Sequence, residues 1–134
     1  MTVQCVLVID DEPFVRESLE RVLRSPQLMV IVAADAEAGL AAMRTSNVDL
    51  VIVDAVLPGM DGVTAIKEIR RLHPQVRIIA ISGGGGFGLH TYQPEAVSTS
   101  AYLAACKAAG ADEILAKPFE TAELRAIMAR LPPP

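Results

Sequence analysis

Five short strand-like runs, each followed by a stretch of helical periodicity, recur from one end of this chain to the other. They are Val6–Ile9, Leu28–Ala33, Leu50–Val53, Val76–Ile81 and Glu113–Ala116. Between them apolar residues return every three to four positions, as at Val15, Leu19 and Val22 or at Val63, Ile66 and Ile69. Strands joined by helices pair in parallel through right-handed crossovers. The near-continuous apolar character of the runs fits a sheet buried on both faces. The pattern therefore predicts an α/β domain, a mainly parallel five-stranded sheet between two layers of helices.

Local punctuation supports that division. Pro13 suits the first turn of a helix that ends before Pro26, and Asp35 is a plausible N-cap for a helix through Met43. Pro58-Gly59-Met60-Asp61-Gly62 reads as a turn, and Gly110 stands where a helix reaching about Ala109 needs a left-handed cap. His73, before Pro74, reads as a helix end. A last helix buries Leu124, Ile127, Met128 and Leu131 and cannot continue through Pro132-Pro133-Pro134. With 134 residues the chain reads as a single domain over residues 1–134.

Composition removes several function classes. Apolar residues make up 51% of the chain and the mean hydropathy is +0.38. Yet the longest apolar run, Leu28 to Ala34, falls far short of the ~20 residues that span a bilayer. Asp10 and Asp11 interrupt the N-terminus as a signal peptide. A cytoplasmic protein without a membrane partner is expected. The net charge of −4, with scattered Lys and Arg, argues against a nucleic-acid surface. Cys5 and Cys106 lack metal or redox spacing and read as buried thiols.

Four of the strand-like runs end on residues able to handle a phosphoryl group: Asp10-Asp11, Asp54, Ser82 and Lys117. In neighbouring parallel strands these converge on the carboxyl edge of the sheet, where open α/β sheets place ligands. Like charges about 4 Å apart repel by roughly 4 kcal/mol at an effective dielectric near 20, so the carboxylates need a neutralising cation or proton. Oxygen ligands at few positions suit magnesium. Asp11 or Glu12 alone could serve as a helix cap, but Asp54 starts no helix directly. Asp54 as nucleophile, magnesium on one oxygen, Lys117 on another and Ser82 on a third would position and neutralise a transferring phosphoryl group.

Taken together, Asp10-Asp11, Asp54 with Pro58 and Asp61-Gly62 behind it, Ser82, Gly110-Ala111-Asp112 and Lys117-Pro118-Phe119 resemble the receiver domain of bacterial two-component response regulators, CheY-like and stand-alone. The resemblance covers essentially the whole chain with every element in order. It implies a flavodoxin-like (βα)5 three-layer sandwich with strand order 2-1-3-4-5. It implies a phosphoryl group received on Asp54 from a histidine kinase or a histidine phosphotransfer protein. Asp11, Asp54 and the main-chain carbonyl of Val56 would ligate Mg2+, with Asp10 acting through water. Lys117 would contact the phosphoryl group, Ser82 would move toward it, and the Lys117–Pro118 peptide would be cis. Such a domain is a signalling phosphoprotein rather than an enzyme, a monomer or weak homodimer that switches an unidentified protein target.

Two departures stand out against that pattern. Ile114 occupies the position, three before the lysine, where many receivers carry an aromatic switch residue. The interval from Ser82 to Lys117, 35 positions, is long, and the extra length forms a glycine-rich segment at about 83–97. Gly83, Gly84, Gly85 and Gly86 carry high backbone entropy, so this segment reads either as a switch that orders on phosphorylation, with Phe87, Tyr92 or Tyr102 replacing the missing aromatic, or as an insertion without a role. Gly83, Gly85 and Gly88 match G-x-G-x-x-G only formally, since no helix follows promptly. An aspartyl-phosphate phosphohydrolase is the competing enzyme class, but Val56 stands where its acid–base carboxylate is needed. An unphosphorylated scaffold or a phosphate sink is the third alternative.

Overall fold

The computed structural model describes residues 3–83 and 94–132, with backbone alone over 94–100. Strand β1 (Cys5–Ile9) is followed by helix α1 (Pro13–Leu23), β2 (Met29–Ala33), α2 (Ala36–Thr45) and β3 (Leu50–Asp54). Then come α3 (Gly62–Leu72), β4 (Arg77–Ser82), α4 (Pro94–Ala109), β5 (Glu113–Ala116) and α5 (Thr121–Arg130). All pairings are parallel and the sheet order is β2-β1-β3-β4-β5. This is the flavodoxin-like arrangement expected from the sequence.

Strand periodicity sorts the core into two halves. Leu7, Ile9, Val51, Val53, Ile78 and Ala80 face α2, α3 and α4, where Met43, Ile66, Ile69 and Cys106 meet them. The alternate residues Val6, Val8, Leu50, Ile52, Ile79 and Ile81 face α1 and α5 through Leu19, Leu23, Leu124 and Ile127. Both faces of β1, β3 and β4 are thus buried, which is why their sequences read as unbroken apolar runs. Both cysteines are free and buried. No helix of the described residues is long and apolar enough to cross a membrane.

Element ends depart from the sequence reading by one or two residues. β3 and β4 extend to include Asp54 and Ser82, because ladder partners Ile81 and Ala116 hold them in register. β4 starts at Arg77, whose amide donates to the carbonyl of Asp49, and β2 starts at Met29 after a Ser25–Leu28 bridge. Asp35 and Asp61 cap α2 and α3 by accepting from the amides of Ala38 and Thr64. His73 is the C-cap of α3. Gly110 has φ +128°, and Lys117–Pro118 is cis.

One glycine governs how closely α3 approaches the sheet edge. A Cβ on Gly62 would lie 2.2 Å from the carbonyl oxygen of Asp54 and 2.5 Å from Cα of Ala55, atoms of backbone that cannot swing aside. At Gly39 the conflict is instead with the Ile9 side chain, whose Cδ1 would be 2.4 Å away. In urea titrations Gly62→Ala is expected to lose about 3 kcal/mol or more, and Gly39→Ala nearer 1 kcal/mol. Equal losses would mean that the α3–β3 approach is no tighter a constraint than side-chain packing.

Candidate functional site

Register alone brings the polar strand ends level. Ile9 lies opposite Val53, so Asp10 and Asp54 are neighbours one step further on. Asp54 lies opposite Ile81, and Ser82 lies opposite Ala116, immediately before Lys117. Amide bonds carry the ladder to these ends: Asp10 donates to Ala33, Ala55 to Ile81 and Lys117 to Ser82.

The centre of the site is the ammonium of Lys117, whose side chain is only 8% exposed. Its Nζ donates to Asp10 Oδ2 at 2.9 Å, Asp54 Oδ2 at 2.9 Å and Glu12 Oε1 at 3.1 Å. An ammonium has three donors, and all three are taken. Asp10 and Asp54 are buried, each anchored by its second oxygen: Asp10 Oδ1 accepts from the Glu12 amide and Asp54 Oδ1 from the Val56 amide, both at 2.9 Å. Arg16 donates to the carbonyl of Asp10 at 2.8 Å and ties the turn to α1.

Three carboxylates against one ammonium leave the cluster net negative. Burial pushes the Asp54 carboxyl up to about 6, although the Lys117 charge and the Val56 amide pull it down; the charge of Asp10 adds to the rise. Burial alone would lower the Lys117 ammonium, but the charge of Asp54 and the hydrogen bonds of Asp54 and Asp10 hold it above the usual lysine range. At neutral pH Asp54 is therefore largely ionised and Lys117 is charged.

Ser82 is buried, and its Oγ has no hydrogen-bond partner among the described residues. A buried hydroxyl left unpaired costs free energy, so Ser82 is free to donate to an acceptor placed beside it. Carboxylate oxygens of Asp10, Glu12 and Asp54 lie within 4.8 Å of one another. An all-oxygen donor set of this kind fits a hard divalent cation such as magnesium.

The sequence expectations are met unevenly. Asp10, Asp54 and Lys117 come together, while Asp11 is exposed and lies outside the three-carboxylate group. Glu12 and Arg16, which the sequence reading did not place at the site, are part of it; the only signal for Glu12 was a third acidic residue after the strand. Val56 is 49% exposed beside Asp54. Ile114 is 36% and Tyr102 41% exposed. A Cβ at Gly83 would be 3.6 Å from Lys117 Cδ, whereas Gly84, Gly85, Gly86, Phe87 and Tyr92 lie outside the described residues.

Comparison with known proteins places this geometry in context. The response regulator receiver domain family matches residues 6–129. The chemotaxis protein CheY of Bacillus subtilis is 32% identical over 86% of this chain and 86% of its own length. A protein-glutamate methylesterase/protein-glutamine glutaminase of Cereibacter sphaeroides is 33% identical over 84% of this chain, which spans only 28% of that relative. The crystal structure of the receiver domain of NtrX from Brucella abortus superimposes with a TM-score of 0.78 at 28% identity, covering 93% of this chain and 95% of that one.

Removing the ammonium should leave two buried carboxylates unpaired. Lys117→Met is expected to lose about 3 kcal/mol or more in chemical denaturation without divalent ions, with part of the loss recovered on adding magnesium. An unchanged midpoint would show that the cluster is solvated rather than buried. The raised carboxyl of Asp54 has a signed consequence as well. The folded state holds that proton more tightly than the unfolded state, so its stabilising contribution is lost as pH rises from about 4 to about 6. In metal-free melts Asp54→Asn should abolish this part of the decline, and parallel pH profiles would contradict it.

Proposed function

This chain belongs to the response regulator receiver domain family of two-component systems, and we propose that Asp54 is its phosphoacceptor, charged by a histidine kinase or a histidine phosphotransfer protein. The observation that carries this is the Lys117 ammonium lodged against Asp10 and Asp54, with the buried Ser82 hydroxyl, which has no partner among the described residues, at the same strand ends. One carboxylate oxygen of Asp54 attacks the phosphorus of a phosphohistidine. The new O–P bond forms as the N–P bond breaks, and the electron pair leaves on the imidazole nitrogen. Lys117 balances charge on the transferring oxygens, and the Ser82 hydroxyl donates to one of them.

Asp54, Asp11 and the carbonyl of Val56 are the groups we assign to Mg2+, with Asp10 acting through water, since Lys117 already occupies the centre of the Asp10–Glu12–Asp54 group. A cation held by these groups would supply positive charge to the phosphoryl oxygens. Asp11, exposed next to this group, must turn toward Asp54 to take part. Val56, apolar where a hydrolase needs a second acid–base carboxylate, supports a signalling phosphoprotein over a phosphohydrolase that turns over external substrates. An apolar groove lined by Phe14, Val15, Leu19, Val22, Pro118 and Phe119 abuts Lys117, and Phe14 is 75% exposed. A protein donor must rest beside the acceptor to deliver its phosphoryl group, and this groove is the surface we assign to it.

The downstream switch is assigned to Ser82, drawn toward the phosphorylated Asp54, with β5 at Ile114 and the face formed by α4, β5 and α5 as the region read by a target protein. Incubation with acetyl phosphate and magnesium, followed by intact-mass measurement, should add one phosphoryl group to the wild type. Asp54→Ala should add none, and a chelator should prevent the wild-type adduct. An adduct of equal yield in Asp54→Ala would move the acceptor elsewhere. Rapid turnover of acetyl phosphate without an adduct would favour the hydrolase.

A further inference from the structure

The three acceptors on Lys117 are not equivalent. Asp10 and Asp54 are buried and each is pinned through its other oxygen by a backbone amide. Glu12 holds Lys117 through one oxygen at 3.1 Å, its side chain is 35% exposed, and it has one more rotatable bond than an aspartate. Although Glu12 is the N-cap residue of α1, its side chain makes no capping hydrogen bond. Its carboxylate therefore bears on Lys117 rather than on the helix.

Because every Lys117 donor is occupied, a phosphoryl oxygen arriving at Asp54 must take one of them from a resident carboxylate. The least anchored of the three is Glu12. We propose that Glu12 is a displaceable plug, which holds the third donor of Lys117 in the unphosphorylated protein and must swing into solvent before a phosphoryl group can be bound. This rests on the assignment of Asp54 as phosphoacceptor. The plug opposes phosphorylation in two ways, by occupying the donor and by placing a negative charge beside the incoming dianion. It also keeps Lys117 in place while the site is idle. Glu12 is thus a positioning residue that sets how readily the site is charged.

The test is an amide NMR titration of the full chain with beryllium fluoride in the presence of magnesium, since that complex mimics a phosphoryl group on a carboxylate. Glu12→Gln and Glu12→Ala are expected to bind the mimic about fivefold more tightly than the wild type, the upper end for a part-exposed ion pair. Glu17→Gln, which removes the same charge from an exposed position of α1, should bind as the wild type does. A purely structural Glu12 would shift the unfolding midpoint of the free protein and leave the affinity for the mimic unchanged, which overturns the plug. Weaker mimic binding accompanied by weaker magnesium binding would overturn it too, making Glu12 a cation ligand. An equal gain in Glu17→Gln would reduce the effect to net charge and overturn the contact-based account. If the wild type itself fails to bind the mimic, the phosphoacceptor assignment falls, and the plug with it.

Discussion

A single buried ammonium holds the carboxyl edge of this sheet together. Without Lys117, Asp10 and Asp54 would be two like charges out of water with only backbone amides to receive them. Buried charges of one sign are tolerated only when a counter-ion is within contact distance. A lysine suits the place better than an arginine, because a compact point charge with three donors can serve three separate carboxylates at once. The same contact raises the lysine, moderates the rise at Asp54 and brings the Glu12 carboxylate to the ammonium.

That contact depends on register, and register depends on the two apolar layers. A slip of one residue would exchange the layer of Leu7, Val51 and Ile78 with that of Val6, Leu50 and Ile79, so packing on both faces forbids it. The opposite edge of the sheet is fixed by charge of a different kind. Arg70 donates to the carbonyls of Pro74, Val76 and Gly110 and pairs with Asp112 at 3.0 Å, stitching the turn before β4 to the turn before β5. The amide of Ile78 donates to the same Asp112 carboxylate. One end of the strands is thus tied down by paired charges, while the other keeps a Ser82 hydroxyl without a partner among the described residues and an incompletely neutralised acidic group.

Much of this was legible in the residues. The alternation of apolar runs and helical periodicity, the caps at Asp35 and Asp61 and the break at Gly110 needed only local rules. Asp10, Asp54 and Lys117 were legible because each ends a strand-like run, and strand ends of a parallel sheet share an edge. Glu12 and Arg16 were not. Glu12 looks like any acidic residue near a helix start, and Arg16 like any basic residue on a solvated face. Their roles come from where α1 leaves the sheet, a matter of side-chain reach and turn geometry that spacing does not encode. Asp11 shows the reverse: adjacency to Asp10 suggested a shared pocket, yet successive residues at a strand end diverge, and here it is exposed.

Periodicity and strand-end chemistry by themselves determined the class of fold, the order of its elements and the convergence of Asp10, Asp54 and Lys117, because these follow from burial patterns repeated along the chain. Only the tertiary structure decided which carboxylates touch the ammonium, that all its donors are taken, and that Ser82 is buried with no partner among the described residues. Those facts depend on distances of about 3 Å between residues as far apart in sequence as Asp10 and Lys117, and such distances are set by the packing of two helical layers against one sheet.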